Sequence, residues 1–551
     1  MDVSKKFGWL MVILLWAFSA KAQDRYAVFY KYKPQEEFSL SNPSQYLTQK
    51  ALDRRSKEGV QIDSLDLPVS NKYISEVEIL SEYIIFNSKW FNASVAVLSE
   101  SAVKEVSELP FVEKVEYVAP GFRVNPNARI REKVLASVTR ETCLSENKRI
   151  LDEGEKPYYF QNELLGIPEM HDEGFRGEGI TIAVMDAGFP AVNSQSIFSQ
   201  LFDNNQLVAT RDFVRPWMAD VFFDNQHGTN VLSLIASNDP ETLQAGAPDA
   251  NYVLIITEDD DTEYRIEEYT WVRGAEYADS LGVDIIHSSV GYYDFDDPSM
   301  NYSSEDMDGK TAVITQGAQI ASRKGILVVN SSGNYGSGES TLVAPADAPD
   351  VLTIGGTTSD LVVAGFSSRG PTADGRMKPD LATFASGVAL LRSNGSLGFA
   401  NGTSFSAPQV TALAAGLMQA RPDWSREELV ENLKRSGTQS DNPDNLLGFG
   451  IPNFYRAYYG EILDVVEQEE IVWKIYPNPA KGDVLSIMVG NELSTEVILT
   501  DMNGRQIIQT ELNRNRVTEP YILRLNEVSS GIYILQAMDG IQPRRTKLIR
   551  N

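Results

Sequence analysis

Cysteine and histidine are scarce in this chain of 551 residues, which contains one cysteine and three histidines. The single Cys143 excludes an internal disulfide, so the fold has to depend on its hydrophobic core. Positive charge is also in short supply, because 49 Lys and Arg stand against 76 Asp and Glu, a net charge of −27. Such a field repels nucleic acid and anionic membranes, and this argues against both as partners.

Long hydrophobic runs are missing after the N-terminus, so the sequence predicts no transmembrane segment in the mature protein. The N-terminus itself has the pattern of an export signal, with Lys5 and Lys6, an apolar stretch and the cleavage site Ala20-Lys21-Ala22. The apolar stretch is short of the about 20 residues that a membrane span needs, which makes a membrane anchor the weaker alternative. We therefore predict that residues 1–22 are a signal peptide.

The length of the remaining chain fits two or three domains. In residues 23–120, a strand–helix–strand–helix–strand pattern predicts a small α+β domain, and the charged residues 121–155 that follow read as an exposed linker. In residues 156–460, apolar strands alternate with helices, which predicts an α/β fold with a parallel sheet flanked by helices. Short alternating strands in residues 473–551 predict a β-sandwich.

A serine lies where a helix is predicted to begin, in the segment from Asn401 to Pro408. The small residues that follow continue the helix, and we expect Pro408 in its first turn, where a missing N–H does no harm. Backbone N–H groups and the positive end of the helix dipole would then face a ligand above Ser404. A nucleophile belongs at such a place, because the oxyanion that it creates needs donors already aimed at it.

A serine nucleophile needs a base to remove its proton and an acid to orient that base. His227 precedes an apolar helical run, and Asp186 follows a buried strand. Catalytic groups of open α/β sheets gather at the carboxyl ends of the strands. We therefore predict Asp186 as the orienting acid, His227 as the base and Ser404 as the nucleophile, whereas His171 and His287 are expected to be structural.

The chain order of Asp186, His227 and Ser404, with their flanking residues, resembles that of the subtilases, a family of subtilisin-like serine endopeptidases. The resemblance covers residues 156–460 and implies a subtilisin-like fold. It also implies that Asn334, which follows a strand and a glycine, donates its side-chain amide to the oxyanion beside the backbone N–H of Ser404.

The resemblance implies substrate contacts on two further segments. An edge strand that pairs with an extended peptide would be formed by Ser289, Val290 and Gly291. A wall of the primary specificity pocket would be formed by Ser331, Ser332 and Gly333. Two positions depart from the family pattern, since Ala187 replaces a Ser or Thr and Gln226 replaces a Gly. Neither change deletes a catalytic group, but either can tilt the Asp–His geometry and lower the rate.

The outer units also resemble known modules. Residues 23–120 occupy the place of the family's prodomain, an intramolecular chaperone and inhibitor, and the alternative is a permanent accessory domain. Near the C-terminus, the motifs Tyr476-Pro477-Asn478-Pro479, Asp501-x-x-Gly504-Arg505 and Ser530 to Tyr533 resemble the type IX secretion sorting domain. This implies transport across a bacterial outer membrane, followed by release or surface attachment, and the alternative is a carbohydrate- or protein-binding module.

Together these features predict a secreted or cell-surface serine endopeptidase, with protein or peptide substrates and the type IX secretion machinery as partners. The alternative from another class is a catalytically inactive cell-surface binding protein that kept the scaffold. Subtilases often bind calcium, and acidic loops lie at 258–261 and 294–308. Neither loop has a recognisable ligand spacing, so a solvated acidic face is favoured over calcium, and we predict no metal or other cofactor.

Overall fold

The computed structural model of the protein describes residues 23–121, 156–466 and 473–551, except 491, 503, 517, 518, 540 and 541. The predicted signal peptide, Cys143 and, apart from Gly121, the predicted linker lie outside the described residues.

The N-terminal unit is a four-stranded antiparallel sheet covered by helices. Its elements are β1 (Asp24–Tyr30), α1 (Gln49–Lys57), α2 (Asn71–Leu80), β2 (Tyr83–Ser88), β3 (Ala93–Leu98), α3 (Glu100–Ser107) and β4 (Val112–Ala119). The strand order is β2-β3-β1-β4. Apolar side chains such as Val28, Val77 and Val106 form one buried cluster between the sheet and the helices. The predicted α+β class is confirmed, although α2 and β2 were not predicted.

The central unit is built on a seven-stranded parallel sheet. Its elements are α4 (Tyr159–Leu165), α5 (Ile167–Asp172), β5 (Thr181–Asp186), α6 (Ser199–Asp203), β6 (Leu207–Asp212), α7 (His227–Ala236), β7 (Asn238–Asp239), β8 (Leu243–Gln244), β9 (Asn251–Ile256), α8 (Ile266–Leu281), β10 (Ile285–Ser288), α9 (Val313–Arg323), β11 (Leu327–Ser331), β12 (Leu352–Thr357), β13 (Leu381–Phe384), β14 (Ser386–Leu391), β15 (Leu397–Asn401), α10 (Thr403–Ala420), α11 (Arg426–Arg435) and α12 (Phe454–Val466). The strand order is β13-β12-β11-β10-β5-β9-β6, and each neighbouring pair is parallel. The predicted parallel sheet is thus confirmed.

Helices cover both faces of this sheet, as the side chains of the interior strand β5 show. Ile182 and Val184 belong to the hydrophobic cluster that includes α7 and α10, whereas Ala183 and Met185 belong to the cluster that includes α8 and α9. Successive side chains of a strand point to opposite faces, so a continuous apolar run is needed where both faces are buried. This arrangement places the end of β5 inside the sheet edge, next to the start of α7.

The C-terminal unit consists of two antiparallel sheets. Its strands are β16 (Lys474–Tyr476), β17 (Val484–Met488), β18 (Ser494–Asp501), β19 (Gln506–Asn513), β20 (Tyr521–Arg524), β21 (Gly531–Asp539) and β22 (Gln542–Arg550). The sheets have the orders β16-β17-β20 and β19-β18-β21-β22. They share one hydrophobic cluster that contains Leu485, Val497, Leu523 and Leu535. This matches the predicted β-sandwich.

A search of the described helices for a membrane span found none that is both long enough and apolar enough to cross a bilayer.

A buried cluster of charges joins the N-terminal unit to α8. The carboxylate of Asp279 is fully buried and lies 2.6 Å from Arg54, 2.8 Å from Arg55 and 3.1 Å from Lys89. Burial raises the pKa of Asp279, but the three cations outweigh burial and hold the pKa below its usual range. The N-terminal unit is therefore docked through ion pairs from which water is excluded.

Further polar contacts extend this interface on both sides. The ammonium of Lys324, at the end of α9, lies 2.8 Å from Asp63 and 3.0 Å from Asp66 of the N-terminal unit. On α8, the carboxylate of Glu276 accepts hydrogen bonds from the hydroxyl of Ser88 at 2.5 Å and the backbone N–H of Trp90 at 2.9 Å. Each charged group in the interface thus meets a partner of matching chemistry.

Candidate active site

The end of β5 and the start of α7 bring an acid and an imidazole together. Both carboxylate oxygens of Asp186 lie 2.9 Å from Nδ1 of His227, and the two side chains are 1% and 4% exposed. A Cβ atom on Gly228 would lie 2.3 Å from the carbonyl oxygen of Gly188 and 3.0 Å from the Cβ of Asp186. Only glycine at this position therefore lets the helix start so close to the acid.

Neighbouring polar groups hold both members of this pair in place. The backbone N–H of Ala187 donates to Asp186 at 2.7 Å, and the backbone N–H of His227 donates to the side chain of Asn225 at 2.8 Å. The amide of Asn225 in turn donates to Asp260 at 2.7 Å. These bonds fix the directions of the carboxylate and of the first turn of α7.

The two departures from the family pattern leave the pair intact. At Ala187 the backbone N–H still orients the carboxylate, although the side chain has no hydroxyl. The side chain of Gln226 points away from the acid and accepts a hydrogen bond from the hydroxyl of Ser393 at 3.1 Å. Neither residue therefore separates Asp186 from His227.

The carboxylate also sets the proton affinity of the imidazole. Burial lowers the pKa of His227, but the charge of Asp186 and its hydrogen bond outweigh burial and raise the pKa above its ordinary value of 6.5. Because Nδ1 faces an acceptor, it carries the proton in the neutral ring, which leaves Nε2 as a lone-pair acceptor. Nε2 is buried and has no hydrogen-bond partner among the described residues.

Ser404 is the second residue of α10 and is fully buried. The ring centroid of His227 lies 5.7 Å from that of Phe405, so the imidazole is beside the residue that follows the serine. The hydroxyl of Ser404 donates to the carbonyl oxygen of Ser289 at 3.4 Å rather than to Nε2 of His227. The structure thus joins the acid to the base and brings the base to the start of α10, without a hydrogen bond between Ser404 and His227.

The expected position of Pro408 was wrong. Because α10 begins at Thr403, Pro408 is its sixth residue and lies beyond the first turn. At that position an N–H would bond to the carbonyl oxygen of Ser404, four residues earlier, and proline has no N–H. The hydroxyl of Ser289 donates to this carbonyl instead, at 3.1 Å.

Asn334 lies three residues after β11 and contacts the first residue of α10. Its side-chain oxygen accepts hydrogen bonds from the backbone N–H of Thr403 at 2.9 Å and from the hydroxyl of Thr403 at 3.1 Å. Its Nδ2 atom is buried and has no partner among the described residues. A buried amide donor is therefore available next to Ser404.

The six residues predicted to contact substrate lie at the ends of the neighbouring strands β10 and β11. Ser289 and Val290 are buried, and Val290 accepts a hydrogen bond at its carbonyl from Asn330. The hydroxyls of Ser331 and Ser332 are buried without a partner in the described part of the chain. These two segments face each other across a narrow space.

Val343 fills the space between Gly291 and Gly333. A Cβ atom on Gly291 would lie 2.3 Å from a methyl carbon of Val343, and one on Gly333 would lie 3.0 and 3.2 Å from its two methyl carbons. Val343 itself is 1% exposed. The next residue, Ala344, pairs in antiparallel fashion with Tyr292, which holds the valine in this position. No local sequence pattern indicates this contact, because Gly291 lies in a different segment of the chain from Gly333 and Val343.

Three carboxylates near the first acidic loop form a group that could hold a metal ion. Glu258, Glu263 and Glu267 each have an oxygen within 4.8 Å of the others. Protein donors already bind two of them, since the Tyr292 hydroxyl donates to Glu258 and the backbone N–H of Tyr264 donates to Glu267. The expectation that no cofactor is needed stays a prediction.

The other two histidines make hydrogen bonds of their own, and His287 is fully buried whereas His171 is partly exposed. His171 lies 2.9 Å from the carbonyl oxygen of Gly246 through Nε2. His287 lies 2.8 Å from the hydroxyl of Thr411 and 3.0 Å from the hydroxyl of Ser289. Sequence reasoning found neither Thr411 nor the link from His287 to Ser404, although a proline four residues after the serine was a usable signal.

Comparison with known proteins identifies the family. A model of the Subtilase family matches residues 177–450, which include the Asp–His pair and α10. Residues 177–450 form a subtilase domain. A model of the Peptidase S8 propeptide domain of Bacteroidota matches residues 25–133, and a model of the secretion system C-terminal sorting domain matches residues 474–551. This subtilase therefore has an N-terminal propeptide domain, a subtilisin-like serine protease domain and a C-terminal sorting domain.

Two individual relatives from Bacillus subtilis agree with this assignment. Subtilisin E of Bacillus subtilis (strain 168) is 27% identical over 361 residues, which cover 64% of this subtilase and 77% of that protein. The serine protease AprX of the same organism is 26% identical over 318 residues, covering 52% of this chain and 67% of that protein. Among solved structures, MycP1 from Mycobacterium smegmatis matches with a TM-score of 0.44 and 21% identity, over 57% of this chain and 86% of that chain.

Proposed function

We propose that this protease hydrolyses peptide bonds with Ser404 as the nucleophile, His227 as the general base and Asp186 as the orienting acid. The observation that carries the proposal is the buried contact between Asp186 and His227, with both carboxylate oxygens at 2.9 Å from Nδ1 and with Nε2 left as an acceptor. A lone structural histidine would use both nitrogens in packing bonds, as His287 does.

The reaction begins when the Ser404 hydroxyl turns from the carbonyl of Ser289 toward Nε2 of His227. Rotation about the Cα–Cβ bond of the serine reorients the hydroxyl, and catalytic hydrogen bonds are often long before substrate binds. His227 takes the proton as Ser404 Oγ attacks the scissile carbonyl, and it then gives the proton to the leaving amine. A water molecule, activated by His227 in the same way, releases the acyl group from Ser404.

Negative charge on the former carbonyl oxygen is stabilised by two donors. The backbone N–H of Ser404 lies in the first turn of α10, where helical amides have no intrahelical acceptor. Asn334 supplies the second donor through Nδ2, because its oxygen is held by Thr403 and its NH₂ group is not engaged by the described residues. Donors fixed before the reaction stabilise the transition state without reorganisation.

The substrate lies in an extended conformation beside Ser289, Val290 and Gly291, with the side chain before the scissile bond entering between this segment and the segment from Ser331 to Gly333. Val343 closes the base of that space. A peptide bound in this way hydrogen-bonds through its backbone, so selectivity depends on the size of the pocket. We propose a preference for glycine, alanine or serine at that position.

Export is the remaining part of the proposed function. We propose that the C-terminal sorting domain directs the protein through the type IX secretion machinery to the cell surface or the medium, after removal of residues 1–22. A chain that ends before residue 473 should then stay in the periplasm. Immunoblots of periplasm, outer membrane and medium test this, and export of the truncated chain would contradict it.

Labelling with a fluorophosphonate probe tests the nucleophile. The matured protein should react at Ser404, and Ser404→Ala should lose both labelling and peptide hydrolysis, because the attacking oxygen is gone. Ser406→Ala, two residues along the same helix turn, is the matched control and should label normally. An inactive binding protein on this scaffold would show no labelling at all, and labelling of another serine would reassign the nucleophile.

The pH dependence of hydrolysis tests the Asp186–His227 pair. His227 acts as a base only when neutral, and its pKa lies above 6.5, so kcat/KM should fall as the pH drops, with a midpoint above 6.5. Asp186→Asn removes the charge that contributes most to the raised pKa while burial remains, so the midpoint should move to lower pH. The same change should lower kcat about 10⁴-fold, because the imidazole tautomer is no longer fixed. An unchanged midpoint would contradict the pairing.

Substitution of Val343 tests the proposed pocket. Val343→Gly removes two methyl groups from the space between Gly291 and Gly333, so peptides with a large apolar side chain before the scissile bond should gain kcat/KM. One methylene in such a pocket is worth about 10- to 200-fold. Peptides with alanine at that position should change little, which provides the internal control. Equal effects on large and small side chains would place Val343 outside the pocket.

A further inference from the structure

The turn of α10 that carries Ser404 has a backbone group that its helix cannot satisfy. Pro408 removes the N–H that would bond to the carbonyl oxygen of Ser404, and Ser404 is fully buried. A buried carbonyl without a donor is unfavourable, so a partner has to come from outside the helix. The hydroxyl of Ser289 is that partner, at 3.1 Å.

The bond from Ser289 fixes the direction of two further bonds. A serine hydroxyl has one proton, and Ser289 donates it in the hydrogen bond to the carbonyl of Ser404. Its oxygen can therefore only accept from Nε2 of His287, at 3.0 Å, so Nε2 carries the ring proton. Nδ1 of His287 then has to accept from the hydroxyl of Thr411, at 2.8 Å.

These bonds close a circuit, because Thr411 and Ser404 lie on the same helix. Each group donates a hydrogen bond to the next, from Thr411 through His287 and Ser289 to the carbonyl of Ser404. All four residues are at most 1% exposed. Burial, together with the charge of His227, lowers the pKa of His287 to about 3, so the ring stays neutral at any ordinary pH. A protonated ring would carry a proton on Nδ1 as well, so this nitrogen could no longer accept the hydrogen bond from the Thr411 hydroxyl.

We propose that His287 is a positioning residue, which together with Thr411 and Ser289 fixes the height and rotation of the Ser404 turn relative to the substrate segment. Ser289 contacts Ser404 twice, since its hydroxyl donates to the backbone carbonyl and its own carbonyl accepts from the Ser404 hydroxyl. The circuit therefore sets the distance between the attacking oxygen and the segment beside which the peptide lies. This inference rests on the proposed role of Ser404.

Nitrogen NMR of histidine-labelled protein tests the circuit without any measurement of activity. The chain has only three histidines, so His287→Gln assigns the signal of interest. His287 should be neutral with the proton on Nε2 across the range in which the protein is folded, and Thr411→Val should disturb that tautomer. A proton on Nδ1 in the wild-type protein would overturn the proposal.

Kinetics of a substitution series tests the consequence for catalysis. Thr411→Val should lower kcat about ten-fold with KM little changed, because misplacement of the nucleophile affects the chemical step more than binding. Thr411→Ser keeps the hydroxyl and should keep kcat. Unchanged kcat in Thr411→Val would overturn the proposal.

Substitution of Pro408 should restore activity to a Ser289 variant, which would not be expected if Ser289 had a merely structural role. Ser289→Ala should lower kcat, because the carbonyl of Ser404 loses its donor. Adding Pro408→Ala supplies an N–H within the helix, so the double variant should recover most of the lost kcat, and Pro408→Ala alone is the control. A stable double variant that recovers none would overturn the circuit, whereas a wild-type protein not labelled at Ser404 would overturn the proposed function itself.

Discussion

Exclusion of water from the Asp186 carboxylate is the constraint on which this active site depends. The acid lies at the end of an interior strand of a sheet that is covered on both faces, so solvent cannot stabilise its charge. Its stabilisation comes from the N–H of Ala187 and from the imidazole of His227. A buried carboxylate with so few partners binds strongly to whichever group offers a proton, and this strength is what orients the imidazole.

The proposed nucleophile is subject to a related constraint, since Ser404 lies on a helix whose backbone hydrogen bonding is interrupted one turn later, at Pro408. Pro408 keeps the helical dihedral angles but leaves one carbonyl without its usual donor. The hydroxyl of Ser289, which follows β10 and itself accepts from His287, donates to that carbonyl, so the helix is tied to the strand beside the proposed nucleophile. A regular helix would satisfy its own carbonyls and would need no such tie to the sheet.

The sequence predicted the parallel sheet and the acid, base and serine positions because each has a local signature: an apolar strand, a glycine beside a helix start, or a run of small residues. Contacts between distant segments have no such signature. The wedge of Val343 between two glycines and the role of Thr411 depend on packing across the sheet edge. The short strand β13 was also missed, because four residues show no periodicity. The error at Pro408 arose from the helix start, which sequence patterns locate only to within a turn.

The helix α8 shows why the propeptide domain and the protease domain fit each other. Four of its carboxylates are buried, those of Glu267, Glu268, Glu276 and Asp279, in a chain that already has a large excess of negative charge. Charged groups are buried only when partners replace their water. Hydroxyl and backbone donors of the protease domain serve Glu267 and Glu268, whereas Glu276 and Asp279 are served largely from the propeptide domain, and the cations at Asp279 all come from it. The propeptide domain therefore supplies this helix with positive charge and hydrogen-bond donors, in place of the water that its docking excludes from Glu276 and Asp279.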